Sequence, residues 1–153
     1  MRIYRISKTQ YIDDLSGEGA RLYGGRWNKI GDPMLYFSKN LSLSLLEIIV
    51  HADFAELSLD YSFIEAEIPD SNIKSIQSVD FIHPKWKTDE GISQLQTLGA
   101  TWLAKKESLA VKVPSVILPQ ELNILVNPKH QDFKGLKIVK IEKLDLDPRL
   151  YRR

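Results

Sequence analysis

Residues 40–52 constrain the fold more than any other stretch of the sequence. Asn40 or Ser42 can cap a helix there, and Leu43, Leu45, Leu46, Ile48, Ile49 and Val50 then point in every direction around its axis. A helix that is apolar all round is expected to be enclosed by protein. Glu47 lies among these side chains, and a carboxylate buried with them needs a cation or several donors to hold it. The chain must therefore surround the helix and give Glu47 a partner. Buried ionisable groups concentrate at functional sites, but they also tie cores together as salt bridges, so both readings stand. His51, one turn on, shares a face with Glu47 and on its own reads as a satisfied core histidine.

The rest of the chain alternates short β patterns with helices. Residues 2–6 read as an opening strand and 34–38 as a short buried one. Between them, residues 16–33 carry five glycines (Gly17, Gly19, Gly24, Gly25 and Gly31) and read as one long functional loop. Residues 61–68 alternate like a strand with one wetter face, 73–76 suggest another strand, and 91–106 show helical spacing. Short apolar runs at 109–113, 116–118, 124–127 and 136–142 are separated by Pro114, Pro119, Pro128 and Gly135 and read as further strands. The expected class is α+β in a single domain over residues 1–153.

Composition removes several chemistries. Twenty-one basic against twenty acidic side chains leave a formal charge of +1, a weak basis for neutralising nucleic-acid phosphates. The absence of cysteine excludes disulfides, thiolate zinc sites and a cysteine nucleophile, and His51, His83 and His130 lack metal-ligand spacing. No apolar run approaches the roughly 18 residues of a membrane span and no signal core opens the chain, so a cytoplasmic location is expected, with no membrane partner.

Two further motifs carry candidate chemistry. Gly24-Gly25-Arg26-Trp27-Asn28 sets a planar cation, a large π surface and an amide after two permissive glycines, as suits a pyrophosphate ligand. It equally suits a turn in which Trp27 plugs the core and Arg26 pairs with Glu47. Gly17-x-Gly19 lacks the third glycine of a dinucleotide fingerprint and follows no buried strand. In Val113-Pro114-Ser115 the serine is outside any nucleophile-elbow pattern and has no evident base, so its hydroxyl reads as a positioner.

Taken together and in order, Ser16-Gly17-Glu18-Gly19-Ala20, Gly24-Gly25-Arg26-Trp27-Asn28, Leu35-Tyr36-Phe37-Ser38, Leu46-Glu47 with His51, Val113-Pro114-Ser115 and Asn127-Pro128-Lys129-His130 resemble the successive motifs of the RES domain. The similarity runs nearly the whole chain, to Asp147-Pro148-Arg149-Leu150. The arginine, glutamate and serine for which that family is named correspond to Arg26, Glu47 and Ser115. The resemblance implies a fold like that of ADP-ribosyltransferases and diphtheria toxin, with two small sheets, flanking helices and a cleft for NAD⁺. It also implies a growth-arresting toxin that depletes NAD⁺ by hydrolysis or phosphorolysis, or transfers ADP-ribose to a protein, with NAD⁺ as substrate and no resident cofactor. An Xre-like antitoxin covering the active site is the implied partner. On this reading Glu47 stabilises the ribosyl cation, Arg26 binds pyrophosphate or its flanking ribose, Tyr36 stacks on nicotinamide and Ser115 orients Glu47 or the nicotinamide amide. Arg5 is a second phosphate candidate or an edge-strand arginine, and Trp27, Asn28, His51 and Asn123 line or support the site. A non-catalytic module with a structural Arg26–Glu47 pair is the alternative from another class.

Overall fold

The computed structural model describes residues 1–51, 60–76 and 85–150. The described residues form seven strands: β1 (Arg2–Lys8), β2 (Leu35–Ser38), β3 (Tyr61–Glu67), β4 (Ile73–Ser75), β5 (Ala110–Pro114), β6 (Leu122–Val126) and β7 (Lys137–Lys143). Three α-helices accompany them, α1 (Glu18–Tyr23), α2 (Leu41–His51) and α3 (Asp89–Lys105). The α+β expectation holds.

The strands form one sheet in the order β4-β5-β6-β2-β1-β3-β7, not two separate small sheets. Its two halves are nevertheless distinct. β1 and β3 pair along seven residues, from Arg2↔Glu67 to Lys8↔Tyr61, whereas β1 and β2 are joined by the single pair Tyr4↔Ser38. One residue pair thus converts two expected sheets into one.

Alternation along the strands divides the core. Ile3, Leu35, Phe37, Ile64, Ala66, Ala110, Ile124 and Val126 pack on one face of the sheet. On the other face, α3 lays Leu95, Leu98, Trp102 and Leu103 over Val111, Val113 and Leu125, while α2 lays Leu41, Leu45 and Ile48 over Ile6, Tyr61 and Phe63. One helix covers each half, and the joint between the halves is left as a cleft. Because α2 covers Tyr61 and Phe63, and Arg2 bonds Glu65 at 2.7 Å, β3 has no wet face within its span: only its last residue, Glu67, is exposed.

Three other expectations change. Residues 16–33 contain a helix: Gly17 (φ +76°) and Gly24 (φ +70°) bound α1, so these glycines delimit the helix and only Gly19 lies inside it. Residues 116–118 are not a strand but a bend that leads into a turn over residues 118–121, closed by Glu121 N–H donating to Leu118 O at 2.9 Å. The helix at 41–51 is not enclosed. Only Leu43 and Ser44 are buried in it, and Leu46 and Val50 are 39% and 59% exposed, because docking on a single half-sheet uses one stripe of the helix and leaves the surplus apolar residues outside. The expected last residue of that helix, Ala52, and His83 lie outside the described residues.

Candidate active site

The cleft over the sheet joint encloses about 650 Å³, within the range of roughly 300–1,000 Å³ usual for small-molecule sites. β1 contributes Arg5, β2 contributes Tyr36 and Ser38, α2 contributes Glu47 and His51, and β6 contributes Asn123. Arg26 and Trp27 enter from the segment after α1.

Glu47 is half-buried and has no cation partner among the described residues. Its Oε1 accepts from Ser115 Oγ at 2.8 Å and from Asn123 Nδ2 at 2.6 Å. Ser115 is fully buried, and its hydroxyl accepts from Ile117 N–H at 3.1 Å and Leu118 N–H at 3.2 Å. Its proton is thereby directed at the carboxylate, and hydrogen bonds to an ionised acceptor are the stronger kind. Both side-chain donors go to Oε1, and no side-chain or backbone donor among the described residues reaches Oε2. A fixed carboxylate with one unengaged oxygen beside a ligand-sized cleft can stabilise a developing positive charge.

Arg26 does not pair with Glu47. Its Nη1 donates to Trp86 O at 3.0 Å, which ties the guanidinium to the start of the α3 region. The structure therefore holds no Arg26–Glu47 pair: amide and hydroxyl donors hold Oε1 of Glu47, and Arg26 is anchored by a carbonyl. Trp27 does plug the core, at 3% exposure, packed with Met34, Trp86, Leu95 and Trp102.

Asn28 is fully buried and absent from the cleft wall. Its Nδ2 donates to Ala20 O (2.8 Å), Lys29 O (3.1 Å) and Asp32 O (3.0 Å), and its Oδ1 accepts from Tyr36 Oη (2.7 Å). Its part is to shape the loop that presents Arg26. A side chain with every polar atom committed has none left for a ligand. Tyr36 Oη also accepts from Trp27 N–H at 3.2 Å, and burial holds its phenol well above the usual tyrosine range. Tyr36→Phe is expected to cost about 1–3 kcal/mol in a thermal melt, since the Trp27 N–H and Asn28 Oδ1 both lose their partner.

Arg5 lies on an inner strand between β2 and β3, not on an edge. Its Nη1 donates to Asp14 O (3.0 Å) and Ile12 O (3.3 Å), and burial pulls its guanidinium below its ordinary value, an effect the charge of Asp14 opposes. His51 is exposed at the end of α2 and lines the cleft, so it is not a core histidine. Asn127 and His130 sit in a remote turn: Lys129 N–H bonds Asn127 Oδ1 at 2.9 Å, and a His130 ring nitrogen meets Lys106 O at 3.0 Å.

Two residues outside the expected site bear on it. Ser38 bonds Asn123 (Oγ to Oδ1, 2.7 Å), and Gln96 Nε2 on α3 donates to Gly25 O at 2.9 Å. The alternation of β2 puts Ser38 on the same face as Tyr36, a signal readable in the sequence. The Gln96 contact spans 71 residues and has no local signal.

A family model described as "RES domain" matches residues 2–147. The chain is 35% identical over 154 residues to a "Prs ADP-ribosylating toxin" of Sphingobium sp. (strain YBL2), covering 99% of this chain and 96% of that protein. It is 34% identical to a "Toxin Res" of Photorhabdus laumondii subsp. laumondii, covering 99% and 98%, and 36% identical to a "Toxin Res" of Yersinia enterocolitica, covering 98% and 99%. Among solved structures it shares its fold with the crystal structure of the M. tuberculosis MbcT-MbcA toxin-antitoxin complex, with a TM-score of 0.78, 21% identity, and coverage of 98% of this chain and 86% of that one.

Proposed function

The chain belongs to the RES domain family, and on that premise we propose that it is the toxin of a toxin–antitoxin pair, cleaving the nicotinamide–ribose bond of NAD⁺. The observation that carries the reading is the setting of Glu47, whose Oε1 is held by Ser115 and Asn123 at the wall of the cleft. Breaking that bond develops positive charge on the ribose, so a preorganised carboxylate lowers the transition state more than the ground state. Arg26 brings a cation to the cleft, suited to the pyrophosphate, whereas the Arg5 guanidinium is tied to the carbonyls of Ile12 and Asp14. The face of Tyr36 is a stacking surface for nicotinamide, its hydroxyl being already committed to Asn28 and Trp27. Ser115 acts by positioning Glu47.

The acceptor is water or phosphate on this reading. Transfer to a protein is favoured by one observation, the 35% identity to a relative named as ADP-ribosylating. All three share nicotinamide release. Mass spectrometry of products from purified protein and NAD⁺, with and without phosphate and with a cell extract, separates them: ADP-ribose, its 1-phosphate, or a mass increase on a protein. No nicotinamide under any of these conditions would refute the reading.

A partner protein is supported by the apolar surface around the cleft. Leu46 and Val50 flank Glu47 on α2, Leu118 follows Ser115 and is 40% exposed, and Tyr23 and Ile30 are 83% and 74% exposed. The last two line a groove that shares Gly24, Gly25 and Ile92 with the cleft. Apolar side chains grouped at the mouth of a site suit burial by a protein, here an Xre-like antitoxin that closes the cleft. Among the described residues no helix is long and apolar enough to cross a membrane.

A further inference from the structure

We propose that Ser38 is a positioning residue for the reaction, acting through Asn123 to set the carboxylate of Glu47; the inference rests on the NAD⁺-cleaving reading above. Ser38 and Asn123 are direct cross-strand partners on β2 and β6, which places their side chains on one face within hydrogen-bonding reach. Ser38 Oγ donates to Asn123 Oδ1 at 2.7 Å, and Asn123 Nδ2 donates to Glu47 Oε1 at 2.6 Å. The direction of this relay is fixed by chemistry. An ionised carboxylate only accepts, so the amide must turn its nitrogen to Glu47, and its oxygen then needs a donor, which the Ser38 hydroxyl provides.

Ser38 is 3% exposed, so its hydroxyl is held by protein contacts rather than by bulk water. It is also the residue through which the two halves of the sheet meet, in the pair Tyr4↔Ser38. The relay therefore connects the sheet joint to the catalytic carboxylate. Without the hydroxyl, Asn123 Oδ1 loses its donor and the amide is free to rotate about its terminal bond. Glu47 then keeps one of its two side-chain donors, Ser115, and its oxygens are no longer fixed with Oε1 bound and Oε2 free.

The test has two readouts on the full chain. Ser38→Ala is expected to lower kcat for nicotinamide release by about tenfold with KM little changed, the order of one lost hydrogen bond acting on a charged group. Ser38→Thr, which restores a hydroxyl, is expected to recover most of the rate. In an Asn123→Ala background, Ser38→Ala is expected to add nothing further, because the relay is already cut. The second readout is independent of turnover: in ¹H–¹⁵N spectra the Asn123 side-chain NH₂ pair should shift and exchange faster with solvent in Ser38→Ala, and return in Ser38→Thr. Additive rate losses in the double variant, or an Asn123 NH₂ signal unmoved by Ser38→Ala, would overturn the proposal. If wild-type protein releases no nicotinamide, the functional reading fails on its own while the amide spectra still decide the relay.

Discussion

Glu47→Gln is expected to reduce nicotinamide release by at least about 10²–10³-fold, the scale seen when one preorganised electrostatic group is removed from an active site. The substitution isolates charge from shape. Glutamine keeps an oxygen at the position that accepts from Ser115 Oγ and Asn123 Nδ2, so the hydrogen bonds at 2.8 and 2.6 Å survive. What is lost is the negative charge that, in the proposed reaction, faces the ribosyl cation. Stability should change little, because Glu47 is half-buried and pairs with no cation among the described residues. A buried ion pair would behave differently, since removing one charge strands the other at roughly 3–5 kcal/mol. Steady-state nicotinamide release and a thermal melt on the same two proteins check both halves of the statement. Equal rates in wild type and variant would remove Glu47 from the mechanism.

Gly99→Ala is expected to give the largest loss of stability, about 3 kcal/mol, at the upper end for overpacking a core. Gly99 is buried in the middle of α3, and a methyl group there would fall on the carbonyl oxygen of Trp27. That atom is backbone and cannot swing aside. α3 and the segment after α1 would have to separate, straining the Gln96–Gly25 hydrogen bond and the Arg26–Trp86 contact that hold the segment in place. Tm should fall by roughly 6–12 °C for a chain of this size, and the KM for NAD⁺ should rise as Arg26 loses its anchor. A variant with wild-type Tm and KM would show that this close approach is not required.

Much of the site was legible from residue chemistry. Glu47 stands out as a carboxylate in an apolar helix, Arg26 as a cation after two glycines, and Ser115 as a hydroxyl with no base and so a positioner. The structure sets all three in or beside one cleft, with Ser115 bonded to Glu47 at 2.8 Å. The burial of α2 is not legible in the sequence, because counting apolar residues around a helix assumes that all of them are covered, whereas docking on one half-sheet covers a single stripe and leaves Leu46 and Val50 outside. In the sequence an amide next to Arg26 suits a place beside the ligand, but Asn28 faces the loop instead. Its three donations to backbone carbonyls depend on how the loop closes, which no local pattern encodes.

The sequence by itself determined the α+β class, the family, most element positions and the residue types that carry the chemistry, since periodicity, turn residues and side-chain functional groups are local properties. The tertiary structure alone decided which groups meet. Ser38, Glu47, Ser115 and Asn123 converge from two strands, a helix and a turn, across separations of up to 85 residues. It also decided that Arg26 is held by the Trp86 carbonyl and Glu47 by neutral donors. Such pairings follow from the order of strands in the sheet and from the single residue pair that joins its halves, and strand order is a property of the whole chain.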